Sequence, residues 1–256
     1  TGSILSKKLA AGLQSLTMDI KTGNGAFMQS MEDAETLARS IVDVANGAGV
    51  RTTALITDMN EPLADCAGNA LEVAHAMEFL AGNKSGSRSH ELVMAFASDM
   101  LVNAGLADTL DAAAAKASYA LSSGQAMEVF GKMVAALGGP HDFVENWRTH
   151  LPGAPVVCAI AAPVSGYIAG FKTRDIGLAV IGLGGGRVRP DDPIDHRTGF
   201  SAILPVGSHV EAGQPVAIVH AQSEDAAAQA TRDYLSCLDI SEAAAVRGPV
   251  VVKLVS

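Results

Sequence analysis

The sequence predicts an α/β protein: a parallel or mixed sheet with flanking helices, followed by a smaller C-terminal α+β, barrel-like domain. Three observations lead there. A strand–helix–strand pattern occupies residues 15–57, a nearly unbroken helical pattern runs from Gly68 to about Gly138, and short strand-like runs separated by glycine-rich turns fill the chain beyond residue 155. The composition agrees, because 48% of the 256 residues are hydrophobic and only 4% aromatic, so the core must be built from Ala, Val, Leu, Ile and Met. Such small aliphatic side chains suit helices packed closely on a sheet.

The first element reads as a helix over residues 3–13. Ile4, Leu5, Leu9 and Leu13 give it an apolar stripe and Gly12 loosens its end. Ser3 and Lys7 stand four residues apart and so share one face. A hydroxyl and an ammonium on one face can grip a planar polar ligand or an anion; a solvated face with a Ser cap is the alternative. Residues 15–21 alternate as a strand and end in the glycine-punctuated loop Thr22-Gly23-Asn24-Gly25-Ala26-Phe27-Met28. This loop leaves the carboxyl end of a strand, where open α/β sheets place their ligands. Phe27 and Met28 either wall a flat apolar pocket there or enter the core of an ordinary turn.

Ser30 and Asp33 announce a helix start, Ala34, Leu37, Ala38, Ile41, Val44 and Ala45 carry its apolar face, and Gly47 and Gly49 end it. Residues 51–57 read as a buried strand, which makes 15–57 a parallel, right-handed βαβ unit. Four helical patterns follow, at 71–80, 92–106, 110–121 and 125–137, the last two broken at Ser122-Ser123-Gly124. Gly138-Gly139-Pro140, Pro152-Gly153 and Pro155 mark a linker-like passage. Beyond it, 156–160, 166–171, 178–181, 201–204, 216–219 and 250–255 are strand candidates, with one helix at about 224–236.

Lys and Arg number 18 against 27 Asp and Glu, a net charge of −9 with no basic run, which argues against nucleic acid and anionic membrane as partners. The three cysteines, Cys66, Cys158 and Cys237, are far apart and form no CxxC, so disulfide scaffolding and zinc are not expected and a reducing cytoplasm fits. No apolar run reaches membrane-spanning length and no signal peptide is evident. Cys66 reads as a small buried residue with no base placed to activate it. The glycine-rich run at 182–186 is followed by Val188-Arg189-Pro190, which cannot open the helix a phosphate loop requires, so a tight inter-strand turn is expected. Asp191, Asp192 and Asp195 beside His196 read as a turn with solvated charges, and Val210 to Val219 as a hairpin with the rhythm of lipoyl-like barrels. The seven histidines show no metal-ligand spacing.

Five stretches together resemble the thymidine/pyrimidine-nucleoside phosphorylase family. They are Ser3-Ile4-Leu5-Ser6-Lys7-Lys8-Leu9-Ala10, Lys21-Thr22-Gly23-Asn24-Gly25-Ala26-Phe27-Met28, Gly68-Asn69-Ala70-Leu71-Glu72-Val73, Leu183-Gly184-Gly185-Gly186-Arg187 and Asp192-Pro193-Ile194-Asp195, in an order and spacing that fit along essentially the whole chain. The resemblance implies phosphorolysis of thymidine or another pyrimidine nucleoside to free base and (deoxy)ribose 1-phosphate, by a cytoplasmic homodimer. It implies no cofactor, with inorganic phosphate as co-substrate. Ser3 then resembles the residue that hydrogen-bonds the pyrimidine edge, Lys7 the catalytic lysine on a pyrimidine carbonyl, and Phe27 and Met28 the walls of the base pocket.

The family's Lys-His-Ser-Thr-Gly-Gly-like phosphate loop, its substrate-binding arginine and most of its α-domain lie upstream of the serine–lysine motif. The first residue is not Met and stands within a helical pattern, so the chain is expected to be the C-terminal two-thirds of the protein, inactive in isolation. On this reading 1–13 is a remnant of the α-domain, 14–155 the central α/β domain and 156–256 the C-terminal α+β domain. Some family members hold potassium with a glutamate where this chain has His75, so no metal is carried over. Thymidine or uridine preference stays open. The alternatives are a truncated, non-catalytic binding or assembly module and an anthranilate phosphoribosyltransferase-like enzyme, although that family lacks a domain like 156–256.

Overall fold

The computed structural model describes residues 2–256; Thr1, the first residue of the expected segment 1–13, lies outside the described residues. The chain opens with α1 (Gly2–Ala10), β1 (Ser15–Thr22), α2 (Met31–Gly47), β2 (Arg51–Asp58), β3 (Cys66–Ala67) and α3 (Asn69–Leu80). Four more helices follow, α4 (Arg88–Asn103), α5 (Leu110–Ser122), α6 (Gln125–Ala136) and α7 (Phe143–His150). Next come β4 (Val156–Ala161), β5 (Gly166–Phe171), α8 (Thr173–Val180) with a π-helical turn (Ile181–Gly185), β6 (Gly199–Ser201) and β7 (His209–Val210). The chain ends with β8 (Pro215–Ala221), α9 (Glu224–Ser236), β9 (Leu238–Ser241) and β10 (Val251–Val255). No helix among the described residues is long and apolar enough to cross a membrane.

The chain forms two compact units that interleave in sequence. One gathers the chain through Met59, Gly86–Ser123 and Gly248–Ser256; the other holds Asn60–Ser85 and Gly124–Arg247. This differs from the expected consecutive division at 13 and 155: residue 155 falls inside the second unit, and β10, expected in a C-terminal domain, belongs to the first. The reason is strand pairing, since β10 runs antiparallel to β2 with Leu254 opposite Leu55. A pattern of alternating side chains marks a strand but says nothing of which distant strand it joins.

In the first unit β1 and β2 pair in parallel as the βαβ pattern requires, Ser15 opposite Arg51 and Thr22 opposite Asp58. Ser30 caps α2, its hydroxyl accepting from the Asp33 N–H at 3.1 Å. Ala34, Ala38, Ile41, Val42 and Ala45 of α2 are buried with Ile20, Ala54 and Ile56 of the strands. The other face of the same strands is polar. Thr17 and Thr53 both donate to Asp99 Oδ2 of α4, at 2.7 and 2.5 Å, and Asp99 is itself buried. Arg88, at the start of α4, donates to Asp58 Oδ2 at 2.6 Å and to the Gly248 carbonyl at 2.9 Å, tying three chain segments together.

The second unit contains two antiparallel sheets, ordered β3-β6-β8-β4 and β7-β5-β9. Its core includes Ile160, Ile168, Phe200, Val216, Val219 and Tyr234, with the rings of Phe200 and Tyr234 5.1 Å apart. Four local expectations are corrected. Residues 178–181 are helical, because Ile176, Ala179 and Leu183 bury one face at helical spacing, a pattern that competes with a strand reading in any short apolar run. The glycine run that follows therefore ends a helix and does not join two strands. The hairpin expected at 210–219 is a crossing between sheets, since β7 pairs with β5 while β8 pairs with β4 and β6. A further helix, α7, occupies the passage read as a linker.

Gly68 and Gly199 let β3 approach β6 more closely than side chains allow. A Cβ at Gly199 would stand 2.1 Å from the Ala67 carbonyl oxygen and one at Gly68 2.4 Å from that of Thr198, and both have positive φ, +147° and +141°. The approach sets Cys66 directly opposite Ser201.

Candidate active site

Helix α1 is oriented by Leu5, which is 2% exposed and packs with Ile20, Ala34 and Ile56, while Leu9 covers the same cluster. At 100° per residue, Ser3 and Lys7 lie about 40° apart around the helix and about 160° from Leu5. Burying Leu5 therefore turns both outward, and both are exposed. Among the described residues neither the Ser3 hydroxyl nor the Lys7 ammonium has a hydrogen-bond or ion-pair partner. An Ala or Leu at either position would serve the helix equally well.

The loop after β1 is rigidly anchored. Met59 N–H donates to the Thr22 carbonyl at 2.7 Å, Gly25 N–H to the Met59 carbonyl at 3.0 Å, and Ala26 N–H closes a turn on Gly23. Gly23 has φ +111°, a conformation that favours glycine. Ala26 is buried, Met28 is partly buried against the cluster that holds Leu5, and Phe27 between them is 91% exposed. Met28 is partly buried against that core, whereas Phe27 presents its ring to solvent. Burying a Phe side chain is worth roughly 1.5–3 kcal/mol, and the loop forgoes that. Helix α1 and the loop are thus fixed to one hydrophobic core, with Ser3, Lys7 and Phe27 left uncovered.

Polar groups at the carboxyl ends of β1 and β2 were missed by sequence reasoning. Lys21 Nζ reaches Asp19 Oδ2 at 2.6 Å and Thr57 Oγ1 at 3.0 Å, and Thr57 donates to Asp19 Oδ1 at 2.5 Å. The alternation Thr17, Asp19, Lys21 against Leu16, Met18, Ile20 was the available signal; it shows a polar face without showing that a helix covers it.

The remaining candidates in the second unit resolve individually. Asp195 takes Arg197 in a two-pronged pair at 2.8 Å, which holds its carboxyl below the usual range, and Asp192 accepts the Val188 and Arg189 N–H groups. Asp191, Asp192 and Asp195 therefore make a structured turn and do not converge as cation ligands. Burial, reinforced by the charges of Asp65 and Glu72, pushes the Cys66 thiol up to about 12, so as a free thiol it is no nucleophile. The His75 hydrogen bond, with help from Lys84, holds the Asp65 carboxyl well below the usual carboxylate range. Among the described residues one group of metal-type donors converges: Asp65, Cys66 and His75.

Residues 2–127 match the family model of the glycosyl transferase family a/b domain, and residues 167–241 match the pyrimidine nucleoside phosphorylase C-terminal domain. A thymidine phosphorylase of Agrobacterium fabrum is 55% identical over 242 residues, 94% of this chain and 55% of that protein. One from Rhizobium meliloti is 53% identical over 252 residues, 98% of this chain and 57% of the relative, and one from Burkholderia cenocepacia is 53% identical over 230 residues, 90% and 52%. The chain spans about half the length of the curated relatives it matches. The chain belongs to the thymidine/pyrimidine-nucleoside phosphorylase family.

Proposed function

We propose that this chain supplies the base-binding half of a pyrimidine-nucleoside phosphorylase site, acting on thymidine or a related nucleoside with inorganic phosphate as co-substrate and no cofactor. The observation that carries the reading is the outward face of α1, where Ser3 and Lys7 stand together, exposed and without partners among the described residues. Phosphate attacks C1′ of the sugar, the bond from C1′ to N1 of the base breaks, and its electron pair passes onto the pyrimidine ring and its carbonyl oxygens. The products are the free base, which gains a proton, and the sugar 1-phosphate. Lys7 meets the charge as it develops, so its ammonium is worth more in the transition state than in the ground state. Ser3 reads the polar ring edge, and the exposed Phe27 ring offers an apolar wall. Met28, partly buried against the core, completes the wall beside it.

The phosphate half of the site is assigned to no residue here, and the chain alone is expected to be inactive. The same reading implies a homodimer in the cytoplasm. The match of residues 167–241 to a pyrimidine nucleoside phosphorylase C-terminal domain favours this family over an anthranilate phosphoribosyltransferase-like enzyme.

The reading is tested in the chain completed with the portion of the Agrobacterium relative that it does not span. Ser3→Ala removes one neutral hydrogen bond to the base, worth about 1 kcal/mol, and should raise KM for thymidine about five- to tenfold with kcat little changed. Steady-state thymine release checks this. An unchanged KM would remove Ser3 from the base edge.

A further inference from the structure

The second unit carries a donor cluster that the proposed phosphorolysis does not use. Asp65 stands immediately before β3, Cys66 is its first residue and His75 lies on α3. One carboxylate oxygen, the thiol sulfur and one imidazole nitrogen all lie within 4.8 Å of one another. The close glycine approach of β3 to β6 sets Cys66 in place, and α3, starting two residues after β3 at Asn69, returns His75 over it less than two turns later. Asp65 Oδ1 is 2.8 Å from His75 Nδ1, and Asp65 Oδ2 accepts from Lys84 Nζ at 2.7 Å. A cavity of about 240 Å³ opens on the three donors, with Glu78, Lys84, Trp147 and Ser201 on its walls. The Ser201 hydroxyl is held by His220 Nε2 at 2.8 Å.

We propose that Asp65, Cys66 and His75 form a binding site for one thiophilic divalent metal ion of the zinc type, with its fourth position open to the cavity. Sulfur, nitrogen and oxygen donors in one cluster select such an ion, because alkali and alkaline-earth cations favour oxygen donors alone. Bonds of about 2.3 Å to sulfur and 2.0–2.2 Å to nitrogen and oxygen require donors about 3.5 Å apart. The cluster reaches that by small side-chain rotations that exchange the Asp65–His75 hydrogen bond for two bonds to the ion. The ion takes the place of the thiol proton, which leaves to solvent. Lys84 remains on the other carboxylate oxygen, outside the metal's own ligands, and fixes its orientation. The role is independent of the base-binding face of α1.

The test uses the reduced, metal-stripped 256-residue chain titrated with Co²⁺ as a spectroscopic probe, then with Zn²⁺. One equivalent of Co²⁺ should give a thiolate-to-cobalt charge-transfer band with tetrahedral visible bands, displaced by Zn²⁺ and unaffected by excess K⁺. Cys66→Ser should abolish the charge-transfer band, and His75→Gln should weaken binding about 100-fold or more. Cys158→Ser and Cys237→Ser should leave both unchanged. Circular dichroism of each variant without metal shows whether it is folded, and His75→Gln decides the matter if Cys66→Ser is not. Absence of the band, its persistence in Cys66→Ser, its loss in the Cys158 or Cys237 variants, or unweakened binding in folded His75→Gln would overturn the proposal.

Discussion

Lys7→Ala is expected to lower kcat/KM for thymidine phosphorolysis by about 10²–10³-fold, or roughly 2.7–4 kcal/mol of transition-state stabilisation, the loss typical of removing one donor from a developing anion. The effect should fall mainly on kcat. The neutral base asks little of an ammonium before the glycosidic bond breaks, and the departing base asks much. The substitution should leave folding unchanged, because Lys7 is exposed and Leu5, with Leu9, anchors α1 to the core. Lys8 is the internal control. It carries the same charge on the next residue, also exposed, but lies about 100° around the helix from Lys7. Lys8→Ala in the completed enzyme should therefore retain near-normal turnover. Equal losses in the two variants would mean that α1 contributes only general positive charge.

Arg88→Met is expected to destabilise the protein by about 3–5 kcal/mol. The Arg88 side chain is 6% exposed and Asp58 15%, and the guanidinium also holds the Gly248 carbonyl. Removing it takes the guanidinium away from a largely buried carboxylate and frees the segment that leads into β10. Asp58 ends β2, so the loss should spread to the strand pair beneath the candidate site. Urea unfolding followed by circular dichroism checks this, with the midpoint falling and the slope nearly unchanged. A shift below 1 kcal/mol would show that the pair breaks even against its desolvation cost.

Much of the first unit was legible in the sequence. Alternation at 15–21 and 51–57, a Ser30 cap and a helical stripe between them led directly to β1, α2 and β2, because each signal is local. What was not legible depends on partners distant in sequence. Nothing local in Val251–Val255 shows that it pairs with β2 and not with the strands that precede it. Residues 176–183 carry both a strand-like run and a helical spacing, and burial decides for the helix. For the candidate site, the spacing of Ser3 and Lys7 sufficed to place them on one face, but not to show that the face points away from the core. Met28 and Phe27 are adjacent and both apolar, and only the turn geometry separates the one that packs inward from the one that stays exposed. Cys66 read as an inert buried thiol because its neighbour His75 reaches it only after α3 folds back.

The most direct test of the account compares thymine release from thymidine and phosphate by two proteins: the 256-residue chain itself, and the same chain completed with the portion of the Agrobacterium relative that it does not span. The account predicts no phosphate-dependent cleavage by the chain alone, and thymine with deoxyribose 1-phosphate from the completed protein. Robust phosphorolysis by the chain alone would contradict it.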